Sequence, residues 1–217
     1  MRTVVITGVS RGLGAALAAQ LRARGDRVVG VGRSAADLTA DLADPAQVPT
    51  AADLAPLLED ADEVALVHNA AVVEPIGPVG TLGADALANA VAVNLTAPMV
   101  LTDAFLAAVP AEASRVTVVF VSSGAAHRVV EHWAAYSATK RAGEFFLEVL
   151  AAEAARRDPR VTVASVNPGV MDTGMQAEVR SSEFPARERY QRLHEAGELP
   201  DPAEVAARIV AEHLTGG

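Results

Sequence analysis

Cysteine is absent from the 217-residue chain, so it has neither a disulfide framework nor a thiolate metal site. Histidine is scarce: the five present show no HxxxH or HxH spacing, and no metal centre is expected. Positive charge is short as well. With 18 Lys and Arg against 27 Asp and Glu, the formal net charge is −9, which argues against a polyanion such as nucleic acid as partner. Long apolar runs are missing too. The longest uncharged stretch, Ala86 to Thr102, is interrupted by Asn89, Asn94, Thr96 and Pro98 and falls short of membrane-spanning length. At the N-terminus, Met1-Arg2-Thr3 runs straight into a strand pattern with no signal-like apolar region before it. A soluble, cytoplasmic protein with no membrane partner is expected. Lysine is nearly absent: of 18 basic residues, only Lys140 is not Arg. In so Arg-biased a chain, a surviving Lys marks a place where a guanidinium is a poor substitute.

What is present is apolar and regularly ordered. Hydrophobic residues make up 51% of the chain. A single α/β domain over residues 1–217 fits this length and buries roughly 70% of its unfolded-chain surface. Strands are read at Thr3 to Thr7, Arg27 to Val31, Val64 to His68, Arg115 to Ser122 and Val161 to Val166. Helices are read at Leu13 to Arg24, from Asp44-Pro45 onward, at Asp85 to Val109, Tyr136 to Arg157, and Pro202 to Leu214, the last capped by Asp201. Near-continuous apolar strands alternating with helices imply a parallel sheet covered on both faces. Residues 171–199 are polar and weakly periodic, and they follow a strand's C-terminal end. That position suits a flap over a binding crevice.

The first strand-to-helix turn reads Thr7-Gly8-Val9-Ser10-Arg11-Gly12-Leu13-Gly14. Gly8 allows a sharp turn, Gly12 removes a side chain where backbone approaches a pyrophosphate, and Gly14 allows close helix packing. The helix N-terminus offers N–H groups and partial positive charge to phosphates. About 20 residues on, dinucleotide sites that select NAD carry an acid for the ribose 2′-hydroxyl. Here Val31-Gly32-Arg33-Ser34 offers none, and Asp37 lies beyond the strand. Arg33 and Arg11 together suit a 2′-phosphate, so NADP(H) is the expected cofactor.

Tyr136 and Lys140 stand at i and i+4 of a predicted helix and so share one face. A neighbouring ammonium stabilises tyrosinate, which would pull the phenol down toward neutral pH and make it a usable acid or base. Ser123, at the end of the preceding strand, can hydrogen-bond the same substrate oxygen. Asn94 interrupts an apolar helix, as a buried amide with a specific partner does.

Gly8, Gly12 and Gly14, then His68-Asn69-Ala70-Ala71, Asn94, Ser123, Tyr136 with Lys140, and Pro168-Gly169 fall in order along nearly the whole chain. In this the chain resembles the single-domain short-chain dehydrogenase/reductases. The resemblance implies a doubly wound Rossmann fold and oxidoreductase chemistry on a small-molecule carbonyl. It implies that Ser123 orients the carbonyl and Tyr136 donates the proton, while Lys140 binds the nicotinamide ribose. Asn94 would hold a relaying water. It further implies adenine contacts from Asp41 and Leu42, following a third strand. Asn69 and Ala70 would line the adenosine and ribose side, and Val170 and Thr173 would meet the nicotinamide amide. Two departures stand out: HNAA replaces the family's NNAG, and no seventh strand follows the last helix, which ends Leu214-Thr215-Gly216-Gly217. A sheet of about six strands is expected.

The run Met171-Asp172-Thr173-Gly174-Met175-Gln176, followed by Arg180-Ser181-Ser182, resembles the sepiapterin reductase and benzil reductase branch, which reduces vicinal dicarbonyls and related compounds. Trp133, Met171 and Met175 would wall the substrate pocket. Other readings stay open here: another short-chain alcohol dehydrogenase or 3-oxoacyl reductase, or a non-catalytic NADP-sensing protein. An epimerase or dehydratase would need a further substrate domain. A homodimer is expected through apolar positions such as Phe145 and Leu101 on the two long helices.

Overall fold

In the computed structural model, which describes residues 1–215, six parallel strands form one sheet. They are β1 (Arg2–Thr7), β2 (Arg27–Gly32), β3 (Leu38–Thr39), β4 (Glu63–His68), β5 (Arg115–Val121) and β6 (Val161–Val166), in the order β3-β2-β1-β4-β5-β6. β1 pairs with both β2 and β4, so the strand order reverses at β1, and a crevice opens there at the C-terminal strand ends. The expected six-stranded, doubly wound architecture is what the chain adopts. Gly216 and Gly217, on which the expectation of no seventh strand partly rests, lie outside the described residues.

The strands are apolar on both sides because both sides are covered. On one, Leu13, Leu17 and Leu21 of α1 (Gly12–Ala23) meet Val205, Ile209 and Val210 of α8 (Pro202–His213) over Val4, Ile6 and Val67. On the other, Leu54 and Leu58 of α2 (Ala51–Leu58) and Leu101 and Phe105 of α4 (Ala97–Ala108) pack on Val5, Leu66 and Val118. Leu147 of α5 (Ala134–Arg157) joins them.

Several predicted elements take a different form. Asp44 caps only a short 3-10 turn, Pro45–Gln47. Val48 precedes Pro49, is held extended, and ends the turn. The helix proper begins at Ala51, where Thr50 and Asp53 form a capping box. The helix predicted as continuous over Asp85 to Val109 is α3 (Ala84–Val91), a π-turn at Ala92–Thr96, and α4. Pro98 lacks the N–H that would bond to the Asn94 carbonyl, and the Ala97 N–H reaches back to Ala92 instead, so the ladder widens around Asn94. This stretch, 84–108, is long and apolar enough to cross a membrane by length and composition, unlike the shorter run read from sequence. Its apolar character serves the sheet, on which Ala97, Leu101 and Phe105 are buried. Leu101 is therefore a core residue and not a surface one. On α3, α4 and α5 the exposed large apolar residues are Val91, Met99, Val100, Phe145 and Val149.

Residues 171–199 hold two short helices, α6 (Gly174–Ser181) and α7 (Arg187–Glu195). Each is too short for a periodic pattern to register. They are held by an aromatic cluster in which Trp133 lies 5.6 Å from both Phe184 and Tyr190, nearly parallel to the latter.

Candidate active site

One cleft of about 430 Å³ runs along the C-terminal strand ends, from the β1–α1 turn to the aromatic cluster. Every cofactor and pocket residue predicted from the sequence except Gly14 lines it. These are Gly8, Ser10, Arg11, Gly12, Leu13, Arg33, Ser34, Asp41, Leu42, Asn69, Ala70, Tyr136, Lys140, Pro168, Gly169, Val170, Thr173, Trp133, Met171 and Met175.

The β1–α1 turn is shaped for close approach. Gly8 has φ +74°, and a Cβ at Gly14 would lie 2.1 Å from the Gly8 carbonyl oxygen and 2.4 Å from Asn69 Nδ2. Gly14 thus admits the turn and the Asn69 amide behind it. That amide donates to the Thr7 carbonyl at 3.0 Å and the Gly8 carbonyl at 3.1 Å. Thr7 Oγ1 accepts from the backbone N–H groups of Asn69 and Ala70, both at 3.0 Å. The ends of β1 and β4 are so locked together, and Thr7, not singled out from sequence, is the hinge of that lock. At the start of α1 no side chain caps the helix and no acid sits in the first turn, which leaves its N–H groups for an anion. The turn, the uncapped helix and the long cleft fit a dinucleotide pyrophosphate.

The two expected 2′-phosphate ligands part company. Arg33 and Ser34 are exposed at the end of β2, beside Gly32 and Asp41. Arg11 instead reaches over Gly174 toward Glu178 of α6, at 3.6 Å. Asp37 is turned away from the cleft: its carboxylate accepts from the Gly30 N–H at 2.7 Å.

At the other end, β5 delivers Ser123 and α5 delivers Tyr136 and Lys140 into the cleft. The α5 helix lies close on the sheet at Gly143, where a Cβ would be 2.4 Å from the Phe120 ring. Lys140 is fully buried. Its Nζ donates to the Val121 carbonyl at 2.7 Å and sits 4.8 Å over the Phe120 ring and 5.8 Å from the Tyr136 ring centre. Burial lowers the ammonium from its ordinary 10.5 to about 8, against the opposing pull of Glu144. Tyr136 is shifted in the direction opposite to that read from sequence. Burial raises its phenol, the Ser123 hydroxyl partly offsets this, and Tyr190 adds to the rise. Desolvation of the phenolate outweighs the Ser123 hydrogen bond that favours it, so the phenol is protonated at neutral pH.

Asn94 sits in the π-turn with its side chain fully engaged. Oδ1 accepts from Val72 N–H at 2.9 Å; Nδ2 donates to the Val72 carbonyl at 2.8 Å and to Thr139 Oγ1 at 3.2 Å. The amide therefore fixes the strand end after β4 against α5, and the group left for any water is its backbone carbonyl, which Pro98 cannot engage. Beneath the site is a polar layer that sequence reasoning missed. Glu144 is buried, accepts from Ser122 Oγ at 2.5 Å, and meets His127 at 2.8 Å and Arg141 at 3.2 Å. Its spacing of four from Lys140 was the available signal. His68 is buried, with Nε2 2.8 Å from Thr102 Oγ1. Phe184, Tyr190 and Val179 complete the aromatic wall around Trp133.

Comparison with known proteins agrees with this geometry. The short chain dehydrogenase family profile matches residues 2–183. A benzil reductase ((S)-benzoin forming) of Bacillus subtilis (strain 168) is 33% identical over 97% of this chain and 93% of its own. A sepiapterin reductase of Meriones unguiculatus is 33% identical over 95% of this chain and 88% of its own. The crystal structure of KRED1-Pglu enzyme superposes with a TM-score of 0.87 at 29% identity, covering 100% of this chain and 96% of that one. A turn open to a dinucleotide, a Ser, Tyr and Lys gathered at the strand ends, and relatives matched end to end lead to one assignment: the chain belongs to the short-chain dehydrogenase/reductase family, oxidoreductases that use a nicotinamide cofactor on small molecules.

Proposed function

We propose that the protein is an NADPH-dependent carbonyl reductase acting on α-dicarbonyl compounds, with Ser123, Tyr136 and Lys140 as catalytic residues. The observation that carries this reading is the buried phenol of Tyr136, set beside the Ser123 hydroxyl and Lys140 in one cleft. Reduction of a carbonyl needs an acid at the developing alkoxide, and a phenol, protonated at neutral pH and buried in the cleft beside Ser123, can supply it. The cofactor, when bound, supplies the hydride. Ser123 holds the carbonyl oxygen, Tyr136 gives it a proton, and Lys140 steadies the developing tyrosinate and the ribose. Asn94 acts by fixing Val72 and by offering its backbone carbonyl to a water. The aromatic wall and the region 171–199 exclude bulk solvent from the substrate end. On this reading residues 1–217 form one catalytic unit, working in the cytoplasm as a homodimer. Dicarbonyl substrates are supported by the names of the relatives: benzil reductases of Bacillus subtilis and Bacillus cereus match at 33% and 31% identity.

Arg33 and Ser34 take the 2′-phosphate; of the two nearby acids, Asp37 is held by the Gly30 N–H and Asp41 is left to the adenine side. One effective charge-assisted bond of about 1.5–3 kcal/mol corresponds to roughly 10- to 100-fold preference for NADPH. The test is a steady-state panel of aromatic diketones, 3-oxoacyl thioesters and sugars with each nicotinamide, followed by nicotinamide absorbance. Preferred turnover of a diketone with NADPH is expected, and Gly32→Asp combined with Arg33→Ser should favour NADH. Equal use of both cofactors by the unaltered protein refutes the role of Arg33. Preference for thioesters or sugars refutes the substrate class.

A further inference from the structure

The charged groups lining the cleft are Arg11, Arg33, Arg128 and Lys140 against the single acid Asp41. Arg33 lies at the nucleotide end, Arg11 faces Glu178, and Lys140 is buried under Tyr136. Arg128 has no such occupation. It stands five residues beyond Ser123, exposed at the substrate end. Among the described residues it makes no ion pair, whereas Arg141, Arg160, Arg180 and Arg192 each face a carboxylate. Its guanidinium lies over Gly124, the residue after Ser123: a Cβ built there would be 3.0 Å from Arg128 Nη2 and 3.4 Å from Asn167 Nδ2. Asn167 is oriented by its other atom, since Oδ1 accepts from the Gly169 N–H at 3.1 Å. Two donors therefore converge beside the serine that holds the reacting oxygen. Behind them stand Trp133 and Tyr190, stacked at 5.6 Å and 28°.

We propose that this end of the cleft selects an aryl 2-oxo carboxylate, with Arg128 and Asn167 binding the carboxylate next to the reacting ketone and Trp133 and Tyr190 packing the aryl ring. The proposal rests on the carbonyl-reductase reading and narrows its substrate class. A guanidinium has only donors, and its planar fork matches a carboxylate with two parallel bonds, stronger than those to a neutral carbonyl. A 2-oxo acid places that carboxylate one bond from the ketone, the separation that neighbouring Ser123 and Arg128 subsites demand. In the reaction the ketone carbon takes hydride from reduced nicotinamide and the C=O π pair moves to oxygen. That oxygen takes the Tyr136 proton. The carboxylate is unchanged, and the product is an aryl 2-hydroxy carboxylate with oxidised nicotinamide.

The chain's only tryptophan is Trp133, so intrinsic fluorescence reports on this wall directly. Phenylglyoxylate and its methyl ester are titrated in saturating NADP⁺, where no hydride is available, and quenching is followed. The acid should bind about 10- to 100-fold more tightly than the ester. Arg128→Gln should collapse that ratio to below about threefold, and Arg128→Lys should restore part of it. Because Arg128 is exposed, these variants should fold, as far-UV dichroism will verify. Equal affinity for acid and ester, or a ratio that survives Arg128→Gln, overturns the carboxylate site. The same pair is then offered with NADPH. Arg128-dependent binding without turnover of either compound leaves the carboxylate site standing and refutes the reductase reading. Turnover of both with no Arg128-dependent preference does the reverse.

Discussion

His68 should make the fold sensitive to acid, and the size of the effect follows from where β4 puts it. The imidazole is buried, 2.8 Å from Thr102 Oγ1 and 6.4 Å between ring centres from Phe120. Desolvation is the main force lowering it and the Lys140 charge adds to this, bringing it from 6.5 to about 3. Between those values the unfolded chain takes up a proton at this residue and the folded one does not. Stability from this group is therefore complete above pH 6.5 and falls as pH drops toward 3. At about 1.4 kcal/mol per unit, the loss is roughly 2 kcal/mol between about pH 7.5 and pH 5. His68→Gln keeps a polar end within reach of Thr102 and cannot titrate. Urea unfolding at both pH values, for wild type and variant, gives the difference of differences, in which any static cost of the substitution cancels. The variant should lose about 2 kcal/mol less than wild type over that interval. Identical pH dependence of the two proteins would show that His68 is protonated or solvated in the folded state, and the burial argument would fail.

Two further outcomes follow from the site and the surface. Tyr136→Phe should lower turnover by about 10²–10⁴-fold with NADPH affinity nearly intact, because only the proton donor is lost; single-turnover rates alongside a cofactor titration check this. Lys140→Arg should lower both rate and cofactor affinity, and wild-type-like values in either variant would remove that residue from the mechanism. Phe145, 60% exposed, with Val149, Met99 and Val100 forms an apolar face on α4 and α5 that a second copy should cover. Light scattering should report a dimer that Phe145→Glu dissociates, and a wild-type monomer at micromolar concentration rules the interface out.

The architecture was legible because its signals are collective. Five of the six strands announce themselves as apolar β-branched runs, and their alternation with helices allows few topologies. β3 has no pattern of its own in two residues and was anticipated only through the family resemblance, which put a third strand before Asp41; it exists by pairing Val31 with Leu38 and Gly32 with Thr39. The turn at Asp44 was misread because the Asp-Pro signal is local, while Pro49 a few residues on decides where a helix can start. That Ser123, Tyr136 and Lys140 would meet in one cleft was legible by residue type and order. Their protonation states were not, because spacing shows that an ammonium is near but not how dry the site is. In Tyr136 desolvation prevails, and the direction of the shift reverses. Leu101 shows the same limit: on an apolar helix, one face goes to the sheet and the other to the surface, and composition does not say which. The aromatic wall was seen only at Trp133, since Phe184 and Tyr190 come from a polar region whose two helices are each shorter than a detectable period.

The lone lysine ties these observations together. In a chain that otherwise uses Arg, residue 140 is held where the ring of Phe120 covers the ammonium and one backbone carbonyl, that of Val121, accepts a hydrogen bond from it. A guanidinium carries five N–H donors in a plane and cannot shed its charge; an ammonium is compact and does so readily when buried. With one carbonyl and the Phe120 ring to offer, the site suits the compact group better than the fork. Packing here is close enough that the next turn of α5 tolerates no Cβ at Gly143, and the carboxylate of Glu144 beyond it partly offsets the buried charge. What keeps Lys140 a lysine is thus the depth at which α5 lies on β5. The same depth raises the phenol of Tyr136, the group that the proposed reduction would use as its acid.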